Sequence, residues 1–415
     1  MIKQSEVFRT IENQKDTILC NSDTYPRQLL ATLDLQFPQY ADIITGIRRC
    51  GKSTLVEQLM RRHATESLYV NFDTPPLFGF SLDDFKTIDI LIEQTGAHYL
   101  FFDEIQVVEG WEVYVRSKID AHKKVVVTGS NASMLSRELG TRMTGRHISH
   151  RLMPFSYTEF LGYKKLEPNL ESLELYMRLG GFPAYLQTMH AELLTDLATD
   201  VLYRDILVRY GLRDELSLKI LMTFLMGNIG NMVSGNKLTQ PLRIKSPQTV
   251  LDYMAYMENA YLLFSVPKFS YSYRSQVVNP KKIYSIDLGL QALLSPSFND
   301  DEGHRLENLV FIELYRQGAE VYYYNEGGSE CDFVVCRNHT PESLIQVCAE
   351  ITHDNQDREY DGLTAAMNTF SIDKGLIITM NQNDVCYHNG YEITTMPVWK
   401  WLSSSESPTD NSLSQ

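Results

Sequence analysis

The sequence lacks any apolar run approaching the roughly 18 residues that a membrane-crossing helix needs, and its first ten residues, MIKQSEVFRT, hold no apolar signal core. It reads as a cytoplasmic chain with no membrane partner. It also lacks a basic excess. Thirty-eight Lys and Arg stand against 52 Asp and Glu, for a net charge of -14, so the global positive field of a dedicated nucleic-acid binder is absent. The six cysteines (Cys20, Cys50, Cys331, Cys336, Cys348 and Cys386) form no CxxC pair and join no histidine at zinc spacing. They read as buried or free thiols of a reducing compartment. What remains is ordinary globular composition, 43% hydrophobic and 22% charged over 415 residues, enough for two to four domains.

The pattern along the chain is α/β. Residues 1–38 are polar and mixed, with helical pieces such as Tyr25–Leu35. Short apolar runs then recur at Ile43–Thr45, Leu68–Phe72, Tyr99–Phe102 and Val125–Thr128, with Leu152–Phe155 as a candidate fifth. Strands alternating with helices predict a parallel sheet covered on both faces, over residues 39–155. Residues 156–214 look helical, interrupted by Gly180-Gly181-Phe182-Pro183. Over 215–290 three helices precede two strands, near Leu262–Val266 and Lys282–Ile286, an order that suggests a winged helix. Residues 300–402 return to α/β, with strands near Val321–Tyr324, Cys331–Cys336, Leu344–Glu350 and Gly375–Thr379. The tail, 403–415, has the composition of a disordered segment.

Gly46-Ile47-Arg48-Arg49-Cys50-Gly51-Lys52-Ser53 matches GxxxxGK[ST] in full, after a strand-like run and before a helical run that starts at Thr54. Glycines there let successive backbone N–H groups turn toward phosphate oxygens, and the helix start adds a positive dipole end. Lys52 would contact the β and γ phosphates and Ser53 would hold magnesium. Cys50, beside Arg48, Arg49 and Lys52, reads either as a small filler or as a thiol activated by its cationic neighbours.

Some 50 residues on, Tyr99-Leu100-Phe101-Phe102 ends in Asp103-Glu104. A buried strand fixes the position of its terminal Asp, which would reach the magnesium shell, and Glu104 would polarise the attacking water. Ser130 and Asn131 end a further apolar strand and are candidates to orient water or the γ-phosphate. Arg137, Arg142, Arg146 and Arg151 crowd a segment with one acid, Glu138. They read as a solvated loop or as an arginine finger, Arg146 first and Arg142 second, serving a neighbouring copy in a homo-oligomer.

These motifs, together with Thr144-Gly145-Arg146, Pro154-Phe155-Ser156-Tyr157-Thr158-Glu159-Phe160 and Tyr203-Arg204-Asp205-Ile206, resemble the AAA+-type ATPases of the AAA_14 family that carry a DUF4143 domain. The resemblance implies ATP rather than GTP, magnesium, a winged helix, and a C-terminal fold like the PD-(D/E)xK nucleases. In such a site Glu307 would lie on the helix and Asp332 on a strand, but the acid-x-Lys pair reads Gln346-Val347-Cys348. A metal would rest on Glu307, Asp332 and Gln346, and its lysine is missing unless Lys374 or another migrates in. A fold retained for binding is favoured over an active nuclease.

The recognition helix expected at Ser246–Glu258 has Val250, Met254 and Met257 inward and no cation outward. Arg243, Lys245, Lys268, Arg274, Lys281 and Lys282 flank it and are candidates to grip DNA backbone. Two main readings stand: an ATPase acting on DNA or a protein partner, and a slow nucleotide switch that holds a protein. A nucleotide-regulated nuclease ranks third.

Overall fold

The computed structural model describes residues 2–20, 24–130, 145–295 and 301–404. Two units emerge, one of Met1–Met153 with Asn259–Tyr261, the other of Pro154–Glu258 with Leu262–Gln415.

In the first unit, strands β1 (Ala41–Thr45), β2 (Ser67–Asn71), β3 (Tyr99–Asp103), β4 (Lys124–Gly129) and β5 (His147–Arg151) form one parallel sheet in the order β2-β3-β4-β1-β5. Every residue of β1 and β4 is buried, as expected for strands covered on both faces. Helices α1 (Gln4–Cys20), α2 (Leu29–Thr32), α3 (Lys52–Arg62), α4 (Phe85–Thr95) and α5 (Trp111–Asp120) accompany it. The core runs from Val7 and Ile11 of α1 through Val70, Phe72, Phe85 and Phe102 to Trp111 and Val127. Gln14 covers an open strand edge, donating to the Asn71 carbonyl at 3.1 Å and accepting from its N–H at 3.0 Å.

Two expectations for this unit need correction. The helix expected over Tyr25–Leu35 shrinks to Leu29–Thr32, while the main N-terminal helix is Gln4–Cys20. The fifth strand is His147–Arg151 rather than Leu152–Phe155. It lies on the sheet's edge with largely exposed polar side chains, so hydrophobic patterning cannot reveal it. Its register, Ala41 opposite His147 through Thr45 opposite Arg151, is held instead by backbone pairing and by His150, 2.7 Å from buried Asp42.

The second unit begins with helices Tyr157–Lys164, Leu170–Leu179, Pro183–Thr188 and Glu192–Asp200, then a π-helical turn at Val201–Val208. Ser156 caps the first of these with a box completed by Glu159. The Gly180-Gly181 turn lies against Asp287, whose carboxylate accepts the Gly181 N–H at 2.6 Å and the Leu290 N–H at 2.9 Å. A Cβ on Gly181 would sit 2.3 Å from the Phe155 carbonyl oxygen, so only glycine fits.

Next come helix Glu215–Met226, the short strand β6 (Met232–Val233), helices Gly235–Thr239 and Pro247–Asn259, then β7 (Leu263–Pro267) and β8 (Lys281–Ser285). The three strands pair antiparallel in the order β6-β8-β7. Val250, Met254 and Met257 are buried as the spacing required. The C-terminal part is a mixed six-stranded sheet, ordered β13-β14-β12-β11-β10-β9, from β9 (Glu320–Glu326), β10 (Ser329–Arg337), β11 (Thr340–Val347), β12 (Lys374–Thr379), β13 (Asp384–His388) and β14 (Tyr391–Pro397). Helices Glu302–Arg316 and Gln356–Phe370 belong to it.

Candidate functional site

The phosphate loop leaves β1 and turns into α3. Gly46 has φ 150°, Arg49 φ 60° and Gly51 φ 101°, so the loop curls through left-handed conformations that glycine tolerates best. Gly46 is also fixed by space, since a Cβ there would lie 2.0 Å from the Leu152 carbonyl oxygen. Lys52, only 4% exposed, folds back and donates to the carbonyl oxygens of Gly46 and Ile47, each at 3.0 Å. Gly51 is the residue before the helix, and Ser53 and Thr54 are in its first turn. Arg48 is half-buried and Arg49 exposed.

Cys50 is fully buried and donates its S–H to the Leu152 carbonyl oxygen, Sγ to O 3.3 Å. Burial and that contact pack the side chain against the back of the loop, which favours the small-filler reading.

Asp103 and Glu104 emerge from β3, two strands from β1, with β4 between. The Asp103 carboxylate, wholly buried, accepts from the Tyr69 hydroxyl at 3.0 Å and from the Thr128 hydroxyl. The same Thr128 oxygen accepts the Glu104 N–H at 2.9 Å. One β4 side chain thereby ties both acids together. Glu104 takes a left-handed conformation, φ 49°, and Gln106 donates to its carboxylate. Burial raises the Glu104 carboxyl above its ordinary range, with Lys52 pulling it partly back and Asp103 adding to the rise. Burial and the neighbouring Asp103 likewise raise Tyr69 far above an ordinary phenol, so it stays a hydrogen-bond donor.

Ser130 follows β4 and is buried. Arg146 is about half exposed and pairs with Asp120 in the same unit. Asn131, Arg137, Glu138 and Arg142 lie outside the described residues.

Sequence reasoning missed three residues here. Arg27, 4% exposed, donates from Nη1 to the Cys50 carbonyl and from Nη2 to the Met153 carbonyl, both at 2.7 Å. Tyr261 donates its hydroxyl to Thr45 Oγ1 at 2.9 Å, just ahead of the loop. Thr128, the end of the Val125–Thr128 run, is the third, in a stretch where the sequence offers Ser130 and Asn131 instead. Nothing local marks Arg27 or Tyr261, because both act from distant sequence.

The second unit holds a separate acidic cleft of about 870 Å³. Glu307 comes from helix Glu302–Arg316, Asp332 and Glu330 from β10, and Gln346 from β11. The structure brings Glu307 and Asp332 together, but through a lysine: Lys282 Nζ lies 2.9 Å from Glu307, 2.8 Å from Glu330 and 2.8 Å from Asp332. The expectation that Lys282 grips DNA backbone is therefore wrong, since its side chain is 4% exposed and committed to carboxylates. Lys268 faces Glu326 at 3.4 Å, and Lys374 faces Glu392 at 3.1 Å and is not the migrant. Period-two alternation puts Lys282 and Tyr284 on one face of β8, and Tyr284 also donates to Glu307 Oε1, at 2.6 Å.

Gln346 is spent on its neighbours. Its amide oxygen accepts the Asp332 N–H at 3.2 Å and its NH₂ donates to Glu359 at 2.7 Å. Asp332 also accepts the Val347 N–H at 2.9 Å. Burial first, then the Asp332 charge, raise the Glu307 carboxyl, while three carboxylates outweigh burial to hold Lys282 protonated. Among the described residues, no group of three His, Cys, Asp or Glu side chains is arranged to hold a metal ion. Of the expected set of Glu307, Asp332 and Gln346, the first two pair with an ammonium and the third is a bonded amide.

Comparison with known proteins bears on the fold. An AAA domain profile (AAA_14) matches residues 39–161, and the profile of a domain of unknown function (DUF8612), rather than the DUF4143 of the resemblance, matches residues 170–301. An uncharacterized protein of Methanocaldococcus jannaschii is 28% identical over 93% of this chain and 94% of its own length. One of Haemophilus influenzae is 28% identical over 92% and 98%. AMPPCP-bound DnaA from Aquifex aeolicus is similar at 14% identity and TM-score 0.25, over 62% of this chain and 89% of that one. No helix of the described residues is long and apolar enough to cross a membrane. The parallel sheet, its phosphate loop and the matched profile together give the N-terminal unit the fold of an AAA-type P-loop ATPase.

Proposed function

We propose that the chain binds ATP with magnesium at Gly46–Thr54 and hydrolyses it. The observation that carries this reading is the pairing of a complete phosphate loop with two buried-strand acids across one intervening strand. The donor set suits a magnesium nucleotide. Lys52 offers an ammonium, Ser53 a hydroxyl at the helix start, and Asp103 lone pairs beyond those taken by Tyr69 and Thr128. Bound magnesium would neutralise charge on the phosphates. Glu104 serves as general base, a role supported by its raised carboxyl, which takes a proton more readily. Ser130 and Asn131 are placed by sequence to orient the water. Arg146, then Arg142, would reach a neighbouring copy, which for Arg146 means leaving Asp120.

The DNA-acting reading is weakened by the loss of Lys282 from its contacts. It is weakened too by helix Pro247–Asn259, the recognition helix of a winged-helix reading, where Gln248 donates to Asp252 and no cation faces out. A switch that holds a protein partner gains accordingly. Both readings keep a C-terminal domain that resembles a nuclease fold used for binding.

Magnesium-dependent ATP turnover, with and without DNA, tests the proposal on the wild type, Lys52→Ala and Glu104→Gln. Turnover lost in both variants and raised by DNA supports an ATPase acting on DNA. Slow turnover indifferent to DNA, with tight binding that needs Lys52, supports the switch. Turnover that survives both substitutions refutes the site.

A further inference from the structure

The C-terminal cleft carries carboxylates on a helix and an adjoining strand, the arrangement in which a divalent cation is commonly held. Here the cation is part of the chain. Lys282 Nζ donates to Glu307 and Asp332 at 2.9 and 2.8 Å and is ion-paired with the more exposed Glu330 at 2.8 Å, so one ammonium is shared among three carboxylates.

The surroundings hold that arrangement. Tyr284 fixes the Glu307 oxygen that Lys282 uses, and the Val347 N–H takes the Asp332 oxygen that Lys282 leaves. Gln346, where a third metal-binding acid would stand, is bonded at both ends, to Asp332 N–H and to Glu359. Arg358 in turn pairs with Glu359. Each group converging on the centre has a partner from this chain.

We infer that Lys282 is a resident cation, occupying the position of a metal ion, and that the cleft works metal-free in the wild type. The carboxylates are then a latent divalent-cation site, revealed when the lysine is removed. Two consequences separate this from a nuclease whose lysine has moved. In a nuclease, metal and lysine must be present together, whereas here they exclude one another. A metal would have to displace a buried ammonium, leaving one charge unpaired in a low-dielectric setting.

Calorimetric titration of the full chain with Mn²⁺, without nucleotide, tests the inference. Wild type and Asp332→Asn should take up the same amount of Mn²⁺. Lys282→Ala should gain one further site, and Lys282→Ala combined with Asp332→Asn should lose it. Mn²⁺ should raise the melting temperature of Lys282→Ala and leave that of the wild type unchanged. Uptake by the wild type that vanishes in Asp332→Asn overturns the inference, and so does a folded Lys282→Ala that gains no site. Should Lys282→Ala not fold, Lys282→Met takes its place. The comparison of wild type with Asp332→Asn decides even without either: equal uptake supports a resident lysine and unequal uptake refutes it.

Discussion

Arg27 Nη1 donates to the carbonyl oxygen of Cys50 at 2.7 Å, pinning the phosphate loop from a position 23 residues before that cysteine. With Nη2 on the Met153 carbonyl, the guanidinium spans two backbone stretches at once. Arg27→Ala should lower nucleotide affinity by about tenfold, the worth of one charge-assisted bond to a buried carbonyl. Arg27→Lys should not restore it, because a point charge cannot fork. Fluorescent-nucleotide titration measures this, and unchanged affinity in both variants would remove Arg27 from the loop's support.

Thr128 joins Asp103 to Glu104 through a single hydroxyl. Thr128→Val keeps the shape and deletes the bridge. Turnover should fall by about tenfold or more while nucleotide affinity holds, the signature of a misplaced general base. Thr128→Ser should recover most of the rate. A loss in Thr128→Ser with Thr128→Val unaffected would mean that the methyl group matters and the bridge does not.

Cys50 should be slow to alkylate in the folded chain even without nucleotide, whereas exposed Cys20 should react quickly. Mass mapping after brief treatment with a thiol reagent reads both sites. Rapid labelling of Cys50 would contradict the buried S–H seen against Leu152.

Asp287 gives a pH dependence with a definite sign. Burial raises its carboxyl from 3.8 to about 6, against the pull of the Gly181 and Leu290 N–H groups. Between about pH 4 and pH 6 the folded chain therefore holds a proton that the unfolded chain has released. Stability should fall as pH rises through that window, by up to about 1.4 kcal/mol per unit from this group. Asp287→Asn should flatten this part of the profile. Denaturant midpoints at several pH values would show it, and an unchanged slope in the variant would assign the effect elsewhere.

The phosphate loop was readable because its geometry is local: eight consecutive residues, a strand before and a helix after. The same holds for Asp103-Glu104, where an apolar run ends abruptly in charge. β5 was misplaced because an edge strand with exposed polar side chains has no apolar pattern to follow. Lys282 was assigned to solvent because lysine usually belongs there, and its carboxylate partners lie 25 to 50 residues away. The alternation of Lys282, Tyr284 and the buried Ile283 between them carried a trace of the answer, since that strand had both faces inside. Arg27 left no trace at all, being one arginine in a polar stretch.

The order β2-β3-β4-β1-β5 sets the distance between attraction and neutralisation. The phosphate loop leaves β1 and the two acids leave β3. With β4 between them the gap is two strand spacings, about 10 Å. The inserted strand is a spacer. Under the proposed function, the width it opens between the loop and the acids is where the phosphates of a nucleotide and a metal ion would sit.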